Sequence, residues 1–286
     1  MLSNKNYEKS NIQFENILTT LNISFREYYD IQFLRYIKSF SQIIATYDIK
    51  SNLKDKIEDS SIEPIFLSAM MNIKNNDIYN YYRSRIATIN VVRDKKLEIG
   101  KANLTLKPVG NSLYAEQINL PYYARKIDLL AFAHEMGHIP GFENKRRDIS
   151  EYFEYTEVLP MLMEFFVCSY LFKGEEKEIF LKERLASEQN AAISFCQIYK
   201  KYNALSKKSS AKEKHLLYDL ISCYKYLASL DFSLQLIDIM DNDKKEVINN
   251  LAQVVNGDSS INDVGKKFDI DTSCCKRLVK EYVKSL

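Results

Sequence analysis

The stretch DLLAFAHEMGHIPGF, residues 128–142, sets the strongest condition on how this chain can fold. The five residues before His134, LLAFA, are all apolar, so a helix through them belongs in an interior. His134, Glu135 and His138 stand on that same helix, and an interior holds such groups only when they have partners or a task. Asp128 is placed to cap the helix, and Pro140 followed by Gly141 predicts its end near His138. His134 and His138 then lie about one turn apart on one face, and Gly137 between them allows another element to approach closely.

That spacing suits a metal ion. Two imidazoles a turn apart can converge on one zinc ion (Zn2+), and Glu135 beside the first can take a proton from a water that zinc makes acidic. The plain alternative is an amphipathic helix with two polar histidines. The apolar surroundings argue against it, as does the finding that two of only three histidines in the chain fall at this spacing. A catalytic zinc needs a third protein ligand and an open position. The following segment, DISEYFEYTEVLPMLMEFF, offers Glu151, Glu154, Glu157 and Glu164, and the residues alone do not choose among them. Glu154, Glu157 and Glu164 share one helical face, while Pro160 predicts a helix start or kink close to Glu157.

The rest of the chain is expected to be mainly α. It has only 7 Gly and 5 Pro in 286 residues, which leaves few turns and favours long helices. Apolar spacing predicts two helices within 7–48 and helix again over 63–92. Between 94 and 123, KLEIGK, NLTLKPVG and EQINLPYY are short and partly alternating, which predicts a small sheet just ahead of the histidine helix. From 128 onward the helical period returns, broken near Gly141, Gly174, residues 207–214 and NGDSS at 256–260. A net charge of +2 gives no global pointer to nucleic acid or anionic membrane. No apolar run approaches a membrane span, no signal peptide is read at the start, and five scattered cysteines fit free thiols in a reducing cytoplasm.

AFAHEMGH followed by TEVLPMLMEFF resembles the thimet oligopeptidase and oligoendopeptidase F family of zinc peptidases, of the gluzincin type. The likeness extends to DIYNYYRSRIATINV at 77–91, INLPYYARKIDLLAFAHEMGH, HLLYDLISCYKYLASLDFSLQLIDIM at 215–240 and the closing residues, so it covers about 75–286. It implies a helical zincin-like catalytic domain over 76–286, with residues 1–75 as a helical segment packed on it. It implies metal ligation by His134, His138 and Glu157, with Glu135 as the catalytic acid–base group. Glu164 and Asp128 become candidates for orienting the ligands. His215 with Tyr224 or Tyr226, and Tyr218 as an outside choice, become donors to the charge that develops on a hydrated peptide carbonyl. A strand near Gln117–Tyr122 is a candidate for aligning substrate backbone by edge pairing. The substrate implied is a peptide or small protein, with neither nucleic acid nor membrane as partner.

The chain also departs from the family. The stretch from His138 to Glu157 is shorter than in larger relatives, Pro160 falls one position later than in some, and a Gly-rich stretch before the tyrosines is absent. Only about 75 residues precede the matched region, which predicts a more open cleft and questions a restriction to short peptides. Two rival readings exist. SSINDVGKKFDIDTSCCKRLVKEYVKSL also looks like a helix-turn-helix, which would suit a regulatory protease or a DNA-associated protein. A peptide-binding protein without activity is the other, and the intact His134, Glu135, His138 and Glu157 oppose it.

Overall fold

The computed structural model describes residues 56–58, 61–109, 112–122, 124–144, 156–172, 201 and 210–270; between 210 and 227 it describes side chains only at 216, 219 and 226. The expected helices within 7–48, and the candidates Glu151 and Glu154, lie outside the described residues. The described part is mainly α-helical with one small sheet, as the scarcity of turn residues predicts.

Helices α1 (Ile62–Asn72) and α2 (Asn76–Ile86) replace the single helical stretch expected over 63–92. Lys74 takes a left-handed φ of 62° between them, and the Asn75 side chain then caps α2 by accepting from the amides of Asp77 and Ile78. The β-branched run after α2 forms strand β1 (Asn90–Asp94) rather than more helix. KLEIGK forms no strand; β2 (Asn103–Val109) and β3 (Ser112–Pro121) complete the sheet. The order is β1-β3-β2, with β1 parallel and β2 antiparallel to β3. Gln117 to Pro121 pair with Asn90 to Asp94 on one side, and Gln117 to Asn119 pair with β2 on the other. The strand expected to offer a free edge is therefore the central one, and the edges of the sheet belong to β1 and β2.

Helix α3 (Lys126–Glu143) differs from expectation at both ends. It starts three residues early, with Arg125 at the cap position, so Asp128 falls in its first turn. The buried Asp128 carboxylate instead accepts from the Gly100 amide at 2.6 Å and ties the β1–β2 loop to the helix. At the other end the helix runs through Pro140 to Glu143. Tertiary contacts to Glu143 outweigh the local preference of proline: Arg85 pairs with it at 2.7 Å, and the Ala115 amide donates to it at 3.2 Å. Phe132 of α3 meets Phe66 of α1 edge to face, and Phe66 meets Tyr82 of α2 in the same way, so one aromatic cluster joins three helices under the histidines.

Helix α4 (Val158–Leu171) is buried along most of its length. Pro160 is its third residue, where a missing backbone N–H leaves no intrahelical bond unmade. Helix α5 (Ser210–Asn256) bends at Asp243, whose φ and ψ of −135° and 52° are not helical. It ends at Gly257, in the NGDSS stretch read as a break. A capping box between Ser260 and Asp263 starts α6 (Ile261–Lys267), which rests Gly265 against Phe232 of α5. This is the first helix of the suspected helix-turn-helix; its partner would lie in 271–286, outside the described residues. Among the described residues, no helix is long and apolar enough to cross a membrane.

Helices α3 and α4 approach to backbone distance. A Cβ built on Gly137 would lie 2.4 Å from the Pro160 Cα, 2.6 Å from its nitrogen and 2.9 Å from the Leu159 carbonyl carbon. These are backbone atoms and cannot swing away. Gly137→Ala is expected to force the helices apart and to cost about 1–3 kcal/mol in stability. Urea unfolding checks this, and an unchanged midpoint would show that the contact is looser than described.

Candidate metal centre

The approach at Gly137 delivers the end of α4 to the histidine face of α3. Glu157 is the residue just before α4, only 1% exposed, and its carboxylate makes no capping bond to its own helix. Its Oε2 faces His134 Nε2 at 3.1 Å and His138 Nε2 at 3.3 Å. The two rings stand edge to face, 4.9 Å between centroids. One ligand atom from each of His134, His138 and Glu157 can be chosen so that all lie within 4.8 Å of one another. Ligands of a tetrahedral zinc stand about 3.3 Å apart, because zinc–nitrogen and zinc–oxygen distances are about 2.0–2.2 Å. The nitrogen–oxygen separations match that spacing.

Glu164, seven residues beyond Glu157, lies two turns along on the same face of α4. Its Oε1 is 2.5 Å from His134 Nδ1, so one ring is held by a carboxylate at each nitrogen. Burial works against a charge on this imidazole, but the hydrogen bonds and Coulomb attraction of Glu157 and Glu164 outweigh it, and the pKa is pushed up to about 10. If the neutral ring donates Nδ1–H to Glu164, the Nε2 lone pair points at the Glu157 oxygen. Two acceptors 3.1 Å apart repel unless a proton or a metal cation lies between them. The donor set therefore fits a cation, and its two imidazoles and one carboxylate fit zinc.

Glu135 is half-buried beside His134. Asp128 is six residues upstream, about 9 Å along the helix axis, with its carboxylate turned to Gly100. Tyr226 on α5 is half-buried and packs against the core. His215, Tyr218 and Tyr224 lie on the α5 backbone, but their side chains are outside the described residues. The sequence reading missed Arg85 and Glu143, the ion pair that holds the last turn of α3. Arg85 also donates to Thr88 Oγ1, Tyr114 Oη and the Ala115 carbonyl, and it lies over the Tyr114 ring. The available signal was Arg85 falling in helical register with Ile78 and Tyr82, the buried face of α2; nothing local linked it to residue 143.

No protein-family model matches the sequence, and no curated protein is significantly similar to it. Among solved structures the fold matches a protein provisionally assigned as oligoendopeptidase F, from Bacillus anthracis str. Ames, with a TM-score of 0.55 and 16% sequence identity. The match covers 88% of this chain and 51% of the other, so this chain spans about half the length of that one. What the two share is the fold, mainly helical with one small sheet.

Removing Glu157 or His138 by alanine substitution should abolish stoichiometric zinc binding. Glu164→Ala should leave the ion bound but weaken affinity by about 10–100-fold, because only the orienting carboxylate is lost. Competition with a chromophoric chelator measures both. Equal affinities for wild type and Glu157→Ala would remove this carboxylate from the site.

Proposed function

We propose that this chain is a zinc-dependent peptidase that hydrolyses peptide bonds in oligopeptides or small proteins. The observation that carries the reading is the pair of imidazole nitrogens 3.1 and 3.3 Å from one buried carboxylate oxygen, on the helix that also presents Glu135. The shared fold with the oligoendopeptidase-type structure supports it. Zinc, when bound by His134, His138 and Glu157, would polarise the scissile carbonyl and make a water acidic enough to attack near neutral pH.

The protein's own groups do the remaining work. Glu135 takes the proton of the attacking water and hands it to the leaving amine, so one carboxylate serves as base and then as acid. Glu164 fixes the tautomer of His134 by accepting Nδ1–H, which reserves Nε2 for the metal. Charge that develops on the carbonyl oxygen needs donors opposite the metal, and α5 carries the candidates His215, Tyr224 and Tyr226. Asp128 supports the helix through Gly100 and has no contact with the imidazoles among the described residues.

Glu135→Gln is the test. Turnover of a fluorogenic peptide library should fall by about 100- to 10,000-fold, while zinc content stays that of wild type. Equal turnover in the two proteins would refute the acid–base role, and absence of turnover from a zinc-loaded wild type across the library would leave a binding protein.

A further inference from the structure

His134 and His138 are equivalent as ligands but are not held alike. His134 is oriented directly, by Glu164 at its second nitrogen. Among the described residues no carboxylate meets the second nitrogen of His138; besides Glu157 and His134, its ring contacts Phe142, 5.8 Å away between centroids. The ring that backs His138 thus belongs to the last turn of α3. That turn is the one Pro140 weakens, because proline cannot donate to the Met136 carbonyl and crowds it.

The turn is clamped from two sides. Glu143 accepts from Arg85 at 2.7 Å, from the Ala115 amide at 3.2 Å and from the Tyr81 hydroxyl at 3.4 Å, which ties it to α2 and β3. Asn144, at the end of α3, donates to the Val254 carbonyl at 3.0 Å in the last turn of α5. Gly257, with a φ of 81°, lets the chain turn there, and a Cβ added to it would lie 2.7 Å from Asn144 Oδ1. A bare carbonyl at a helix end attracts such a donor.

We propose that Arg85 and Glu143 form a positioning pair: by holding the last turn of α3 against Pro140 they press Phe142 onto His138 and aim its Nε2 at the metal. The pair acts through another residue and touches neither metal nor substrate. The inference rests on the metal-centre reading above.

The test uses the full chain freed of metal and titrated with cobalt(II), whose visible absorption reports coordination geometry, and with zinc in competition with a chelator. Glu143→Ala is expected to lower zinc affinity by about 10-fold or more and to shift the cobalt bands. Glu143→Gln, which still accepts from Arg85 and from the Ala115 amide, should stay close to wild type in both. Phe142→Ala, at a partly exposed position, should move affinity and spectrum in the same direction as Glu143→Ala. Ile248→Ala, a buried truncation in α5 outside the Arg85–Glu143–Phe142–His138 series of contacts, serves as the control: a purely structural loss should leave the cobalt bands unchanged. Wild-type affinity and bands in both Glu143→Ala and Phe142→Ala would overturn the proposal, as would an equal change in Ile248→Ala. A wild type that takes up neither metal would overturn the metal centre itself, a result separable from the others.

Discussion

Two backbones touch where Gly137 meets Pro160, and the candidate site depends on that contact. A glutamate side chain is short, and Glu157 stands before its helix rather than on it. It reaches both imidazoles only because α4 enters at backbone distance from α3. Any side chain at 137 would hold it off. Proline at 160 suits the same purpose, since its fixed φ is compatible with a first helical turn and it leaves no backbone donor to satisfy there. The site is thus built by a close packing that leaves no space for repair.

The electrostatics follow from that packing. Two carboxylates, Glu157 and Glu164, are brought into an apolar interior with exposures of 1% and 6%. Buried negative charge is costly unless a cation answers it. The start of α4 helps, since the positive end of the helix dipole lies beside Glu157. Among the described residues a proton on His134 adds to that compensation, and the two carboxylates push that ring up to about 10 against the effect of its burial. A divalent cation would provide the same compensation and meet all three ligands at once. Proton and metal compete for one slot, so metal binding here is coupled to proton release.

What could be read from sequence was whatever the local chain decides. The buried helix with two histidines a turn apart, the helix start near Pro160 and the break at Gly257 all depend on residues within a few positions of each other. What could not be read depends on residues far apart. Asp128 looked like a cap, but Gly100, 28 positions upstream, takes its carboxylate. Pro140 looked like a stop, but Arg85 and Ala115 hold the turn beyond it. The Gln117–Tyr122 strand looked like an edge because nothing in its own pattern reveals neighbours on both sides. The choice of Glu157 among four glutamates came from family likeness, and its physical reason, the approach over Gly137, involves positions twenty apart.

The same helical arithmetic bears on the donors proposed from α5. Ser233 Oγ lies 3.5 Å from the carbonyl of Val158, the residue after Glu157, so it marks the face of α5 turned to the metal end of α4. Position 226 is seven residues upstream of it, close to two full turns, and so returns to that face at about 10 Å along the axis. Position 224 is nine residues upstream, about two and a half turns, which sets it on the far side. Position 215 returns to the near face after five turns, but about 27 Å away. A single carbonyl held between α3 and α4, as the proposed function requires, would not reach all three of these positions. If the proposed function holds, the position among these that helix geometry brings back to that face within two turns is Tyr226, whose half-buried ring packs against the core that supports α3 and α4.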